Sequence, residues 1–456
     1  MNIRTWIVCL GIGAFTTFQS CRDDFDFEPI SSALRLSTDT ISVDTVYNYS
    51  KSETYVLKLY NPDDKDLVIP RIALARGIDS YFNINVDGLA GHEFTNVPIR
   101  KKDSLFVFVE IDAKEAPINP VYDDEILIES SQHQQHVKLL SWIEKAQIHE
   151  SNSSLATANW NANEAHVIDG TLSITNQLNV DAGTKIYFKR GASLSIEPNA
   201  SLTVNGTLGQ EVKFRSARHD SKYDSIPNQW NKIELKPNSR SSINYAKIIG
   251  GETGLYVNKA ELNISNSIIV NHQSYGILAN QAKILGYNLI MNNANLAALA
   301  IENGGEYKFY HSTFANFFNM VGTAGPAYSV YLSNYNEEES NPLTQAVFGN
   351  CIFFNQRTPN ALVMEKRDGI GFNYSFDTNL FKNVDTNELN VMTATGFVNS
   401  IIGDPLFTDP IYTANKLRVL ENSPALGAGK TTISQNYPTD YYGIPRGTRP
   451  TLGAIQ

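Results

Sequence analysis

The chain has 456 residues, enough for two to four domains, with 37 Lys and Arg against 47 Asp and Glu and a net charge of −10. That balance disfavours nucleic acid, whose phosphates call for a basic face. Aromatic residues make up 11% and there are three cysteines, which suits a β-rich chain held by packing and ordered turns.

The N-terminus reads as a signal peptide over residues 1–20: Arg4 gives the positive start, 6–18 is a short, largely apolar run, and small Ser20 precedes Cys21. The run is too short to span a membrane as a helix. With Cys21 at the cleavage point, the phrase FQSC resembles a bacterial lipoprotein leader, although Phe18 stands where Leu is commonest. The resemblance implies acylation of Cys21. The acidic RDDFDFE (22–28), within a tether over 21–31, resembles the export signal of Bacteroidetes surface lipoproteins. It implies an outer-membrane, lipid-anchored protein facing the exterior. Cys351, flanked by Ile352, Phe353 and Phe354, reads as a buried, inert thiol.

Residues 32–146 hold about seven short alternating stretches, among them TYVLKLYN, LVIPRIAL, SLFVFVEI and HVKLLSWI, separated by turns such as NPDDKD (61–66). This spacing predicts an antiparallel β-sandwich. Its order, with Tyr60-Asn61-Pro62, resembles the Ig-like domains that precede β-helices in Bacteroidetes lipoproteins, which implies a spacer. Asp39-Thr40-Ile41, Asp44-Thr45-Val46, Asp103-Ser104-Leu105 and Asp224-Ser225-Ile226 are similar to O-glycosylation sites of such organisms, and equally make good turns.

From 147 to 395 the pattern changes. Gly170, Gly183, Gly191, Asn199 and Gly206 each precede a strand too short to form a core of its own. Stacked as parallel coils, such strands bury one side chain of each pair, with Gly or Asn turning in left-handed conformations. The passage resembles the opening rungs of right-handed parallel β-helix lipoproteins, of pectate-lyase-like shape. A six-residue phrase then recurs: YAKIIG (from Tyr245), NSIIVN (Asn266), YNLIMN (Tyr287), HSTFAN (His311), NCIFFN (Asn350) and TNLFKN (Thr378), at spacings of 21, 21, 24, 39 and 28. In NSIIVN, Ile268 and Val270 are expected inward with Asn271 at the corner. Asn271, Asn292, Asn316, Asn355 and Asn383 form an expected structural column of stacked amides. A leucine-rich repeat is the rival, but Leu does not dominate. The fold class is therefore all-β: an Ig-like sandwich, then a right-handed parallel β-helix of nine or ten coils.

Chemistry is sparse along the repeats. A lyase of this shape needs a base and a cation, and a hydrolase needs convergent acids. Lys247, Lys382, His272 and His311 appear singly, and the two histidines read as solvated turn residues. Activity is better sought where the spacing breaks, at 325–345 and 364–377. The candidate ligand contacts there are Tyr331, Tyr335, Lys366, Arg367, Asp368 and Tyr374, rings beside charges being suited to sugars. Phe372, Tyr374 and Phe376 are expected mainly to stack inside.

Residues 396–456, with Gly403-Asp404-Pro405, Ser423-Pro424-Ala425, Asp440, Gly443 and Arg446, resemble the C-terminal end of secreted β-helix proteins. The resemblance implies a final coil and a cap folded over the last one, with Asp440 and Arg446 structural. The whole reading is a lipid-anchored, monomeric, non-catalytic protein that binds polysaccharide or a cell-surface glycan. Its alternatives are a lyase or hydrolase of a uronate-containing polymer, and a purely architectural component. No cofactor is expected, and Ca²⁺ only under the lyase alternative.

Overall fold

The structure, a computed structural model, describes residues 27–219, 221–319, 325–357, 359–384 and 395–456. It is all-β, with 55% strand and 3% helix. The leader, Cys21 and the start of the tether lie outside the described residues. The chain divides into two compact units, one running to Ile143 and one from Glu144 to Gln456.

The first unit holds two sheets, of seven and five strands, around one apolar cluster. Alternation explains the arrangement. In Ser104–Ile111 the residues Leu105, Val107, Val109 and Ile111 are buried, while Phe106 and Phe108 face out. That strand pairs antiparallel with Tyr55–Tyr60 and Phe82–Val86. In the other sheet Val121–Glu129 lies between Leu67–Leu74 and Gln134–Glu144.

The second unit is a parallel, solenoid-like stack, consistent with a β-helix. Its eleven-strand sheet, the first face, takes one strand from each successive turn, from Ala146–His149 to Ile401–Ile402, all in chain order. The expected nine or ten coils are thus eleven strands. A fifteen-strand sheet supplies two further faces. Between Ile268–His272 and Ile290–Ala294, for example, one strand, Tyr275–Tyr287, crosses both faces. It bends where Gln281 adopts φ 46°. Gly206 turned out to matter for contact, not conformation: a Cβ there would lie 2.1 Å from the carbonyl of Tyr245.

The recurring phrases are consecutive strands of the first face, but their inward position is not the expected one. Ile248, Ile269, Met291, Phe314, Phe353 and Phe381 are in register and fully buried. Ile268 and Val270 therefore point outward. The phrase at Tyr287 also slips by one residue: Asn288 is the equivalent of Asn266, and each phrase starts on a left-handed residue with φ between 45° and 59°. Inside, Phe309, Phe348, Phe376 and Phe397 stack along the third face at 5.4, 5.0 and 4.6 Å.

The amide column shifts with the frame. Asn293, not Asn292, donates to Asn271, at 3.0 Å. Asn292 faces out and donates to the carbonyl of Pro410. Asn316, Asn355 and Asn383 cap turn carbonyls: Asn316 donates to Ala294, Asn355 to Asn360 and Asn383 to Asn355. A regular ladder runs at a different corner, from Asn341 through Asn303 and Asn280 to Asn258, with links of 2.8, 3.1 and 3.1 Å.

The outward Ile and Val residues are explained by the C-terminal segment. It runs as a strap along the first face. Tyr441 bonds Glu211, Lys430 bonds Asp377 and Lys382 bonds Asp404, so the strap spans turns from Val212–Ser216 to Leu380–Lys382. Leu417, Ala425, Tyr441, Leu452 and Ala454 form an apolar layer with Ile290, Ile352 and Leu380 of the sheet.

Candidate functional site

Three strands of the second face set the site. Tyr275, Ala297 and Tyr328 are in register, as are Ala300, Tyr331 and Val363. Tyr275, Ala297, Tyr328 and Tyr331 line one hollow on the outer surface of these strands. Ala297 is buried between Tyr275 and Tyr328 in this register, and its small side chain leaves a low floor. The rings of Tyr328 and Tyr331 stack above it, 5.6 Å apart and inclined by 15°. The resulting cleft of about 210 Å³ is bounded by Tyr275, Glu302, Tyr328, Tyr331 and Glu365.

Both insertions meet here. The hydroxyls of Tyr331 and Tyr335 donate to the same Glu365 oxygen, at 2.8 and 3.1 Å. Asn334 holds the second insertion on the first: its side-chain oxygen accepts the Arg367 amide at 2.7 Å, and its NH₂ donates to the carbonyls of Arg367 and Ile370. Arg367 itself lies over the Tyr335 ring at 4.8 Å and donates to Ser340.

The electrostatics of the cleft are those of carboxyls and phenols. Burial, with Glu337 second, raises the Glu302 carboxyl above its ordinary value. Burial, then Glu302 and Glu252, pushes the Tyr275 phenol up to about 12. The Tyr331 phenol is raised by burial first and then by its bond to Glu365. A carboxyl raised by burial, near one that accepts two phenol hydrogens, offers hydrogen-bond partners to a polyhydroxylated ligand.

Of the sequence candidates, Tyr331 lines the cleft and Tyr335 and Arg367 buttress it through Glu365 and Asn334. Lys366 and Asp368 do not take part; both are exposed and 3.9 Å from each other. Tyr374 sits on the third face, half-buried against Phe372, Phe376 and Phe397. Sequence reasoning missed Tyr275 and Glu302, which lie outside the two insertions, on strands Tyr275–Tyr287 and Ala297–Tyr310. His272 and His311 are not solvated turn residues. Both are buried, His272 beside Trp230 and His311 bonded to Ser434 at 2.8 Å. The His311–Ser434 pair resembles a base and a nucleophile, but each is sealed between strap and sheet. The Cys351 thiol is buried and pushed up to about 12 by that burial.

Two larger hollows, of about 700 and 710 Å³, lie under the strap and beside the 217–229 loop; neither contains a residue of the two insertions. Among the described residues, no group of three or more His, Cys, Asp or Glu could hold a metal ion, and no helix is long and apolar enough to cross a membrane.

No protein-family model matches the chain, and no curated protein matches it. Among solved structures, a family 123 glycoside hydrolase from Clostridium perfringens aligns over 27% of this chain and 26% of its own length. The identity is 7% and the TM-score 0.20. A likeness that small carries no argument for function.

Proposed function

We propose that the protein is a lipid-anchored surface protein that binds glycan through the tyrosine cleft of the second face. In this reading Cys21 is acylated, residues 32–146 are an Ig-like spacer, and the solenoid is a right-handed β-helix displayed as a monomer outside the outer membrane. The observation that carries the binding role is the cleft itself: stacked Tyr328 and Tyr331 rings above an alanine floor, with Glu302 and Glu365 at its edge. Ring faces pack on the C–H face of a sugar, and carboxyl oxygens accept from its hydroxyls.

A second reading, glycan hydrolysis, is favoured by the raised Glu302 carboxyl. Two carboxyls in one cleft, one of them raised by burial, are the parts such a reaction draws on. The uronate-lyase alternative gains less: Tyr275, Tyr328 and Tyr331 are phenols of the kind such a reaction uses as a base, but no Lys, Arg or His lines this cleft among the described residues to pair with a carboxylate substrate.

A glycan array probed with the purified chain tests the proposal, with chromatography of each bound glycan after incubation. Retention of intact glycan supports binding. Shortened glycan, absent with Glu302→Gln, supports hydrolysis. No binding to any glycan counts against both.

A further inference from the structure

We infer that the hollow between the first face and the C-terminal strap binds an amphiphilic carboxylate, independently of the tyrosine cleft. It encloses about 700 Å³ and has three walls. Outward Ile249, Ile268 and Val270 form the sheet wall, Tyr412, Lys416 and Arg418 stand on the strap, and Lys222 and Asp224 on the short helix Ser221–Ser225. One side chain ties the walls together: Asn271 donates to the Asp224 carbonyl at 2.7 Å and to the Tyr412 carbonyl at 3.0 Å.

Charge selects the head group. Among the described residues that line the hollow, Lys247, Lys416 and Arg418 face one lining acid, Asp224, which already lies 2.8 Å from Arg215. Glu211 at 3.4 Å from Lys247 and Asp409 at 3.9 Å from Lys416 offset those two lysines in part. Arg418 donates to a main-chain carbonyl, of Gln456, and lies over the Tyr442 ring. In a chain of net charge −10, this local reversal favours an anion.

The floor selects the body. Ile249 and Ile268 stay half-buried, Ile268 at the margin of the strap's apolar layer, and branched aliphatic side chains suit an apolar moiety. The two side-chain amides that line the hollow are already consumed. Asn271 uses its NH₂ as above, while Asn415 accepts from Asn292 and Asn293 and donates to Tyr412. The ligand class is thus one carboxylate on an apolar body, either an acyl chain or an aromatic acid.

Titration calorimetry of the purified chain with decanoate, 4-phenylbutyrate and decanol tests this. At least one acid should bind, with decanol tenfold weaker or worse; the tighter acid identifies the body. The double variant Lys416→Met, Arg418→Met should lose tenfold or more with an unchanged melting temperature. Tyr331→Ala should bind as the parent does, which separates this site from the glycan cleft. Failure of both acids to bind, equal binding of decanol, or an unaffected double variant overturns the inference.

Discussion

The guanidinium of Arg446 donates to the side-chain oxygen of Asn288 at 2.8 Å, across 158 positions of sequence. Arg446 is 2% exposed, and burial lowers its pKa to about 10. The same Asn288 donates to Asn266 and to the strap carbonyl of Thr439. Strap and stack are therefore joined through one buried polar network. A charged hydrogen bond removed from such a place costs about 3 kcal/mol. Arg446→Ala should lower unfolding free energy by about that much and speed proteolytic release of the strap, read by chemical denaturation and limited digestion.

His149 and His166 lie 3.2 Å apart, nitrogen to nitrogen, stacked on Trp160 in the first turns of the solenoid. Burial lowers both pKa values, that of His166 to about 3, and burial lowers His272 to about 4. These groups are neutral when folded and titrate near 6.5 when unfolded. Stability is therefore complete above pH 6.5 and falls below it, by about 1.4 kcal/mol per pH unit for each histidine. Melting of the chain should fall steeply between pH 6.5 and 5, and less steeply in His166→Phe.

Asn293 combines a left-handed backbone, φ 57°, with its amide bond to Asn271. Asn293→Ala loses both and should destabilise by about 2 kcal/mol, whereas Asn293→Gly, which keeps the conformation, should cost less. Equal costs for the two variants in urea denaturation would show that the conformation is not what the asparagine supplies.

The Cys351 thiol is fully buried and donates to the carbonyl of Gly349 at 3.4 Å. A thiolate is needed for reaction, and its raised pKa removes it at neutral pH. Ellman's reagent should leave this thiol untouched in the folded chain and react with it after denaturation.

The period of the stack was legible because every turn must place a small or polar residue at a corner and an apolar one inside. Its phase was not. In NSIIVN the residues Ile268, Ile269 and Val270 are all apolar, since Ile269 packs inside while the strap side takes its neighbours, so alternation could not tell inward from outward. The slip at Tyr287 has the same origin, because Asn292 and Asn293 both fit a corner. The site was half legible. Tyr331, Tyr335 and Arg367 stood out because insertions break the spacing. Tyr275 and Glu302 reach the same cleft through register between turns, which depends on strand pairing and not on any local motif.

The central claim is that Tyr331 and its neighbours form a glycan-binding surface on the second face of the stack. The direct measurement is the affinity of the purified chain for its tightest array glycan, compared with that of Tyr331→Ala. Losing the stacked ring should weaken binding at least tenfold, with melting shifted by no more than a few degrees. Unchanged affinity in the variant would contradict the account.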